Sequence, residues 1–258
     1  MIDSHCHLDA RAFDADRAEA LARARAAGVT DVVVPAVGPD GWAPLAAWSA
    51  ATPGVHHGLG IHPQLLPELD PRGDDRRLAD LEAALARGGA VAVGECGLDG
   101  PSVEAGAPMD RQVAVLRGHL ALARRFRLPV VLHCLRAHEP LLALLAEGPL
   151  PAGGVLHSFS GSADQVRAYL PSGLHFSFAG PLTYERARKP LEAARAVPRD
   201  RLLVETDAPD QTPRPHRGRN EPAYLPGILA ALAGALGVGA AEADALTTAN
   251  ARALFRLA

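Results

Sequence analysis

Cysteine, lysine and long apolar runs are all scarce in this chain. Three cysteines among 258 residues are too few for a disulfide framework, and an odd number argues for reduced thiols and hence for the cytoplasm. No apolar stretch approaches the ~20 residues that span a bilayer, so no membrane partner is expected. The opening Met1-Ile2-Asp3-Ser4-His5 lacks the basic-then-apolar order of a secretory signal. Neither an internal repeat nor a low-complexity linker divides the chain, and one domain over residues 1–258 is expected. Lysine occurs once, at Lys189, so arginine carries nearly all the positive charge. Scattered arginines in a chain dominated by Ala, Arg, Gly and Pro are poor indicators of a phosphate-binding surface. The formal net charge of −3 argues against a large basic cradle for nucleic acid. It leaves nucleic acid open as a substrate, because bound metal ions can supply the positive charge.

What is present is an alternation of short apolar runs and Ala/Leu-rich helical segments, in a chain that is 48% hydrophobic. Strands are expected near Ile2–His5, Val32–Ala36, Val55–Ile61, Ala90–Glu95, Pro129–His133, Gly154–His157, His175–Phe178 and Leu202–Glu205. Continuous runs such as Val32-Val33-Val34 and Val130-Val131-Leu132 fit parallel strands buried on both faces. After the fourth strand, Val113, Leu116, Leu120 and Ala123 recur on one helical face. Eight such alternations predict an α/β fold, a single (β/α)8 TIM barrel. An open doubly wound sheet is the competitor, and no Gly-x-Gly-x-x-Gly follows the first strand to support it.

Polar residues with ligand chemistry gather where the strands end. His5 and His7 close the first, His62 follows the third and Glu95 ends the fourth. His133 and His157 end the fifth and sixth, and Asp207 follows the eighth. The C-terminal rim of a barrel brings such strand ends together. Residues two apart on a strand share a face, so His5 and His7 can point into the mouth and hold one metal. A histidine taken singly, such as His119, His175 or His216, reads as a hydrogen-bonded core or surface residue. Cys6, Cys96 and Cys134 each adjoin an inward-facing candidate, so alternation turns them outward as small buried hydrophobes rather than thiolate ligands.

Six segments, in order, carry a family likeness: Met1-Ile2-Asp3-Ser4-His5-Cys6-His7-Leu8-Asp9, Gly60-Ile61-His62-Pro63, Val93-Gly94-Glu95-Cys96-Gly97-Leu98-Asp99, Leu128-Pro129-Val130-Val131-Leu132-His133, His157-Ser158-Phe159-Ser160-Gly161 and Leu203-Val204-Glu205-Thr206-Asp207-Ala208-Pro209. Together they resemble the TatD family of metal-dependent deoxyribonucleases in the amidohydrolase superfamily. The stretches His133-Cys134-Leu135-Arg136-Ala137-His138 and Ala208-Pro209-Asp210 are most similar to its YjjV-type branch.

The resemblance implies a hydrolase with two divalent ions per chain. His5, His7 and Asp207 would hold one ion, His133 and His157 the other, and Glu95 would bridge both. Asp207 and Glu95 would be catalytic, with Asp207 also accepting a proton from the attacking water. Four histidines and two carboxylates suit Zn, Mn, Ni or Fe better than Mg, which prefers oxygen ligands. His62, Tyr184, Lys189 and Arg219 would contact substrate. The implied activity is hydrolysis of nucleic-acid phosphodiesters, foremost single-stranded DNA from its 3′ end, with no obligate protein partner. Two departures from the family pattern stand out: Gly100-Pro101-Ser102 replaces a frequent aromatic pair, and Leu135 stands where arginine is frequent. Two alternatives are a metal-dependent hydrolase of a small ester, amide or phosphoester, and a non-catalytic metal-stabilised binding protein. The branches bridged by a carboxylated lysine are disfavoured, because the lone Lys189 lies after the seventh strand.

Overall fold

The computed structural model describes residues 1–257. Eight strands form one sheet: β1 (Ile2–Asp3), β2 (Asp31–Pro35), β3 (Val55–Leu59), β4 (Ala92–Asp99), β5 (Val130–Leu135), β6 (Gly154–Leu156), β7 (Leu174–Phe178) and β8 (Leu202–Val204). They pair in sequence order and every pair is parallel. Between β8 and β1 the ring closes through Ser4 N donating to the Val204 carbonyl at 3.1 Å. Just above, Asp207 N donates to the His5 carbonyl (2.9 Å) and His7 N to the Ala208 carbonyl (2.8 Å). Each strand is followed by a helix, from Arg17–Ala26 after β1 to Leu225–Leu236 after β8, and Ala240–Phe255 is added at the end. This is the expected (β/α)8 barrel. No single helix among the described residues is long and apolar enough to cross a membrane.

The apolar runs build two cores because neighbours on a strand face opposite ways. Val32 and Val34 point out and join the large core beneath the helices. Val33 points in, and with Ile2, Ala92, Val131, Val155 and Leu203 it fills the barrel's lower interior. Ala251, Leu254 and Phe255 of the last helix plug that layer from below. In the helix Met109–Phe126, Leu116, Leu120 and Ala123 are buried as the periodicity requires. Two residues above the apolar floor on β5 and β6 stand His133 and His157, so the barrel turns from hydrocarbon to imidazole within one layer.

Strand β4 differs from its expected limits. It runs to Asp99, so Glu95 lies in its middle rather than at its end. Regular alternation from the inward Ala92 would also turn Glu95 outward. The ladder with β5 shifts register between Val93 and Cys96, both of which face the outer core, and this bulge swings Glu95 into the barrel. Glycine permits it: Gly94 has φ 134° and Gly97 φ 153°, and a Cβ at either would strike the carbonyl of Val131 or His133 on β5. A parity change also occurs after β1, where Ile2 faces in yet Cys6, four residues on, lies in the outer core.

Candidate metal centre

Glu95 is 1% exposed, and neither carboxylate oxygen accepts a well-directed hydrogen bond. Imidazoles surround it instead, in two groups. Oε2 stands 3.1 Å from His5 Nε2 and 3.2 Å from His7 Nε2, and those two nitrogens are 3.1 Å apart. Asp207 Oδ1 completes this side at 3.6 Å from His5 Nε2 and 3.8 Å from His7 Nε2. Oε1 faces His157 Nε2 and His62 Nε2, each at 2.8 Å, and His133 Nδ1 at 3.3 Å. The ring of His5 stacks on that of His157 at 4.0 Å, joining the two groups. The backbone bonds above β1 and β8 couple Asp207 to the histidine pair. Asp207 itself adopts a left-handed φ of 54°, an uncommon conformation for a residue with a Cβ and one that recurs at functional sites.

The partners of the distal nitrogens decide which imidazoles offer a lone pair. His133 Nε2 lies 2.9 Å from Asp99 Oδ1, so it carries the proton and leaves Nδ1 free toward Glu95. Asp99 is fixed by Ser102 N (2.8 Å), Ser102 Oγ (2.6 Å) and Gln64 Nε2 (3.1 Å). His157 Nδ1 faces Glu205 Oε1 at 3.6 Å, a charge contact beyond hydrogen-bond range that favours a free Nε2. Glu205 is held by Ser158 N at 2.5 Å and Ser4 Oγ at 3.3 Å. His62 is the reverse. Its Nδ1 accepts from Gln64 N at 3.1 Å, so in the neutral ring Nε2 is protonated and presents a donor, not a lone pair.

The electrostatics follow from this crowding. Burial first, then the charge of His157, pushes His5 below the ordinary imidazole range. Burial also disfavours charge on His7, but its contacts with Glu95 and then Asp207 prevail and lift it to about 9. His133 is raised against burial by Asp99 and Glu95, and His157 is raised well above its usual value by Glu95 and Glu205. Despite burial, the surrounding His62, His157 and His5 hold Glu95 well below the carboxylate range. A buried ionised carboxylate ringed by imidazoles, without directed donors of its own, is what a cation site requires.

The donor sets fit divalent ions. Ligands about 2.0–2.2 Å from a tetrahedral ion stand about 3.3 Å apart, close to the spacings among His5, His7 and Glu95. Ligand atoms lie within 4.8 Å of one another in three groups: His5–His7–Glu95, His62–Glu95–His133 and His5–His157–Glu205. In the second, the tautomer argument removes His62 as a donor of electrons.

The cluster opens into a cavity of ≈ 490 Å³, lined by His7, His62, His133, His157 and Asp207 together with the apolar Leu135, Phe159, Phe178 and Leu182. The structure thus brings His5, His7, His62, Glu95, His133, His157 and Asp207 together. Other expected contacts lie elsewhere. Lys189 is exposed, and its neighbour Pro190 rather than Lys189 lines the cavity. Tyr184 is exposed and borders a second groove. Arg219 is occupied: it binds Asp16 Oδ1 at 2.6 Å, donates to the Ala12 carbonyl and covers the Phe13 ring. Of the cysteines, Cys6 and Cys96 lie in the outer core, whereas the half-buried Cys134 borders the cavity with its thiol 3.5 Å from His138 Nδ1.

Sequence reading did not single out Asp99, Glu205 or Gln211. Gln211 contacts Asp207 Oδ2 through its Nε2 and accepts from Ser158 Oγ at 2.8 Å. Asp99 and Glu205 lie within the ligand-bearing segments and Gln211 just after one, the signal that could have found them.

Comparison with known proteins gives a consistent picture. Residues 2–256 match the model of the family described as TatD related DNase. The chain is 36% identical to the uncharacterized metal-dependent hydrolase YabD of Bacillus subtilis (strain 168), over 100% of this chain and 99% of that protein. It is 37% identical to the 3′-5′ ssDNA/RNA exonuclease TatD of Cronobacter sakazakii, over 99% and 97%. The crystal structure of YjjV, a TatD homologue from Escherichia coli K12, superposes with a TM-score of 0.93 at 34% identity, covering 100% of this chain and 98% of that one.

Proposed function

From the premise that the chain belongs to the TatD related DNase family and is a metal-dependent hydrolase of ester bonds, we propose that it removes nucleotides from the 3′ end of single-stranded DNA with two divalent ions. One observation carries this reading: the two oxygens of a single buried carboxylate, Glu95, face two separate groups of ligand atoms. His5, His7 and Asp207 would hold one ion, and His133 and His157 the other, with Glu95 shared between them. When bound, such ions polarise a phosphoryl group and lower the pKa of water. The remaining work falls to the chain's own side chains. Asp207 Oδ1 lies on the cavity side of the His5–His7 pair, where it can take the proton of an attacking water. Its other oxygen is oriented by Gln211 Nε2. His62 Nε2, 2.8 Å from Glu95 Oε1, presents its proton beside that carboxylate in the cavity lining, where it can serve as a donor to substrate. The apolar side chains of Leu135, Phe159, Phe178 and Leu182 in the cavity lining would limit water around the reacting group and offer contacts to a terminal base.

The test is turnover by the purified protein, stripped of metal and then titrated with Zn, Mn, Ni, Fe or Mg. Single-stranded oligonucleotides labelled at either end should lose mononucleotides from the 3′ end only, with activity saturating near two ions per chain. Release of internal fragments would overturn the exonuclease reading, and saturation at one ion would overturn the two-ion reading.

A further inference from the structure

A second groove of ≈ 450 Å³ lies beside the metal cavity, bordered by Tyr184, Gln211, Thr212, Arg214, His216 and Arg217. Gln211 belongs to both hollows. Its Nε2 touches Asp207 on the cavity side, so one side chain separates the groove from the reacting centre.

Among the described residues the groove's cations are free, unlike many arginines elsewhere in the chain. Arg23, Arg111, Arg117 and Arg167 are each committed to a carboxylate, and Arg219 of this same loop is committed to Asp16. Arg214 and Arg217 are exposed and make no ion pair or side-chain hydrogen bond among the described residues. Arg186 and Lys189 on the facing segment are exposed as well. Their acidic neighbours are Glu185 and Asp210, also exposed. The loop that carries the arginines is nevertheless built. Thr212 Oγ1 donates to the Gly218 carbonyl at 2.5 Å, Arg214 N donates to Thr183 Oγ1 at 2.7 Å, and the His216 ring stacks on Tyr224 at 3.7 Å and 9°. Pro213 and Pro215 stiffen the same stretch. Uncommitted guanidinia on a braced loop, facing an exposed aromatic ring, match the needs of a nucleotide: an anion contact and a stacking face.

We propose that this groove is a second subsite of the metal centre, where Arg214 and Arg217 hold the phosphate adjacent to the one being cleaved and Tyr184 stacks on the intervening base of a single-stranded oligonucleotide. The assignment rests on the nuclease reading above and adds to it. It adds two arginines, Arg214 and Arg217, to the substrate contacts expected from the sequence. It also gives the enzyme a reason to prefer a strand over an isolated phosphodiester.

The experiment compares the metal-loaded wild type with an Arg214→Ala/Arg217→Ala double variant on a thymidine decamer and on the 4-nitrophenyl ester of thymidine 5′-phosphate, which has no flanking phosphate. The double variant should lose about 10- to 100-fold in kcat/KM on the decamer, with a shallower salt dependence by about 0.7 per lost contact, and nothing on the small ester. Tyr184→Ala should weaken decamer affinity by about tenfold while Tyr184→Phe retains it. Arg87→Ala, on the far side of the barrel, serves as the control. Equal losses on both substrates, or on neither, overturn the subsite while leaving the nuclease reading intact. A wild type that neither binds nor cleaves the decamer overturns both.

Discussion

The two halves of the histidine cluster are oriented by different means. His133 on β5 and His157 just after β6 each turn the far ring nitrogen toward a carboxylate: Asp99 at 2.9 Å and Glu205 at 3.6 Å. His5 and His7 show no carboxylate pairing at the far nitrogen: their Nδ1 atoms, like that of His157, are buried without a hydrogen-bond partner, but no ion pair reaches them among the described residues. On that side the backbone does the orienting, through the bonds from Asp207 N to His5 and from His7 N to Ala208, helped by stacking of His5 on His157. One half is set by side-chain charge, which a point substitution can remove. The other is set by strand pairing, which only a change of backbone can undo.

The largest expected effect removes the group the halves share. Glu95→Gln keeps the shape but withdraws the bridging charge, so metal content should fall from two ions per chain to fewer than one, with turnover below detection. Elemental analysis after gel filtration reads this directly. Two tightly held ions in the variant would show that the halves are independent sites. Next is Asp207→Asn. An amide cannot accept the water's proton, so kcat should drop by about 10²- to 10⁴-fold, while binding of an oligonucleotide, measured by fluorescence anisotropy, persists. Loss of binding in step with kcat would make Asp207 a structural ligand only.

Asp99→Asn and Glu205→Gln test the contrast itself. Removing an outer carboxylate costs about 10- to 100-fold in metal affinity. Asp99→Asn should reach the upper part of that range because it strips the negative charge from a direct 2.9 Å hydrogen bond. Glu205→Gln should cost less, because 3.6 Å is already a loose contact. Both should affect one ion of the pair more than the other in a calorimetric titration. Equal weakening of both ions would mean that the carboxylates act through overall charge rather than through ring orientation.

Strands such as β2 and β5 were legible as compact apolar runs, and the candidate ligands because they lie at or near the ends of such segments. What escaped was parity. Strict alternation would put Glu95 outside the barrel, and the bulge that brings it inside depends on Gly94 and Gly97, which in a sequence are two small residues beside a conspicuous acid. The orienting acids escaped for a related reason: Asp99 and Glu205 lie next to or near ligands in the chain, and only coordinates show which ring nitrogen they face. Arg219, expected at the substrate, is paired with Asp16 across the fold, a long-range contact that a sequence does not display.

Proton binding offers a gentler way to separate the metal-free from the loaded centre. His7, with burial outweighed by Glu95, rises from 6.5 to about 9, so its contribution to stability is full below pH 6.5 and is lost as pH climbs through 9. Buried Asp3, raised from 3.8 to about 8, acts in the same direction: what it contributes is lost as pH rises through 8. Glu95, shifted below 4.5, contributes above that value and loses its contribution as pH falls. The contributions of His7 and Asp3 should therefore both decline as pH rises toward 9, whereas that of Glu95 declines only on the acid side. Metal binding needs unprotonated imidazoles, so the stabilisation gained from added ions should grow over that same rise in pH. Melting curves with and without metal, taken at several pH values, should diverge. Parallel curves would mean that the imidazoles are not the ligands.

The smallest effect expected is that of Cys6→Ala, and its smallness is informative. Cys6 sits between the two histidines whose orientation comes from the backbone, and it is fully buried in the outer core. Were its sulfur a ligand, or were the β1 half held by a side chain, losing it would empty a metal site. If strand pairing holds that half, the substitution removes only one buried heavy atom, at a cost of about 1 kcal/mol. The peptide groups that bond His5 to Asp207 and His7 to Ala208 are untouched. Chemical denaturation should show the small loss, and metal stoichiometry and affinity should match the wild type. A fall in affinity comparable to that of Asp99→Asn would place the orienting force of the first half in its side chains too, and the difference between the two halves would disappear.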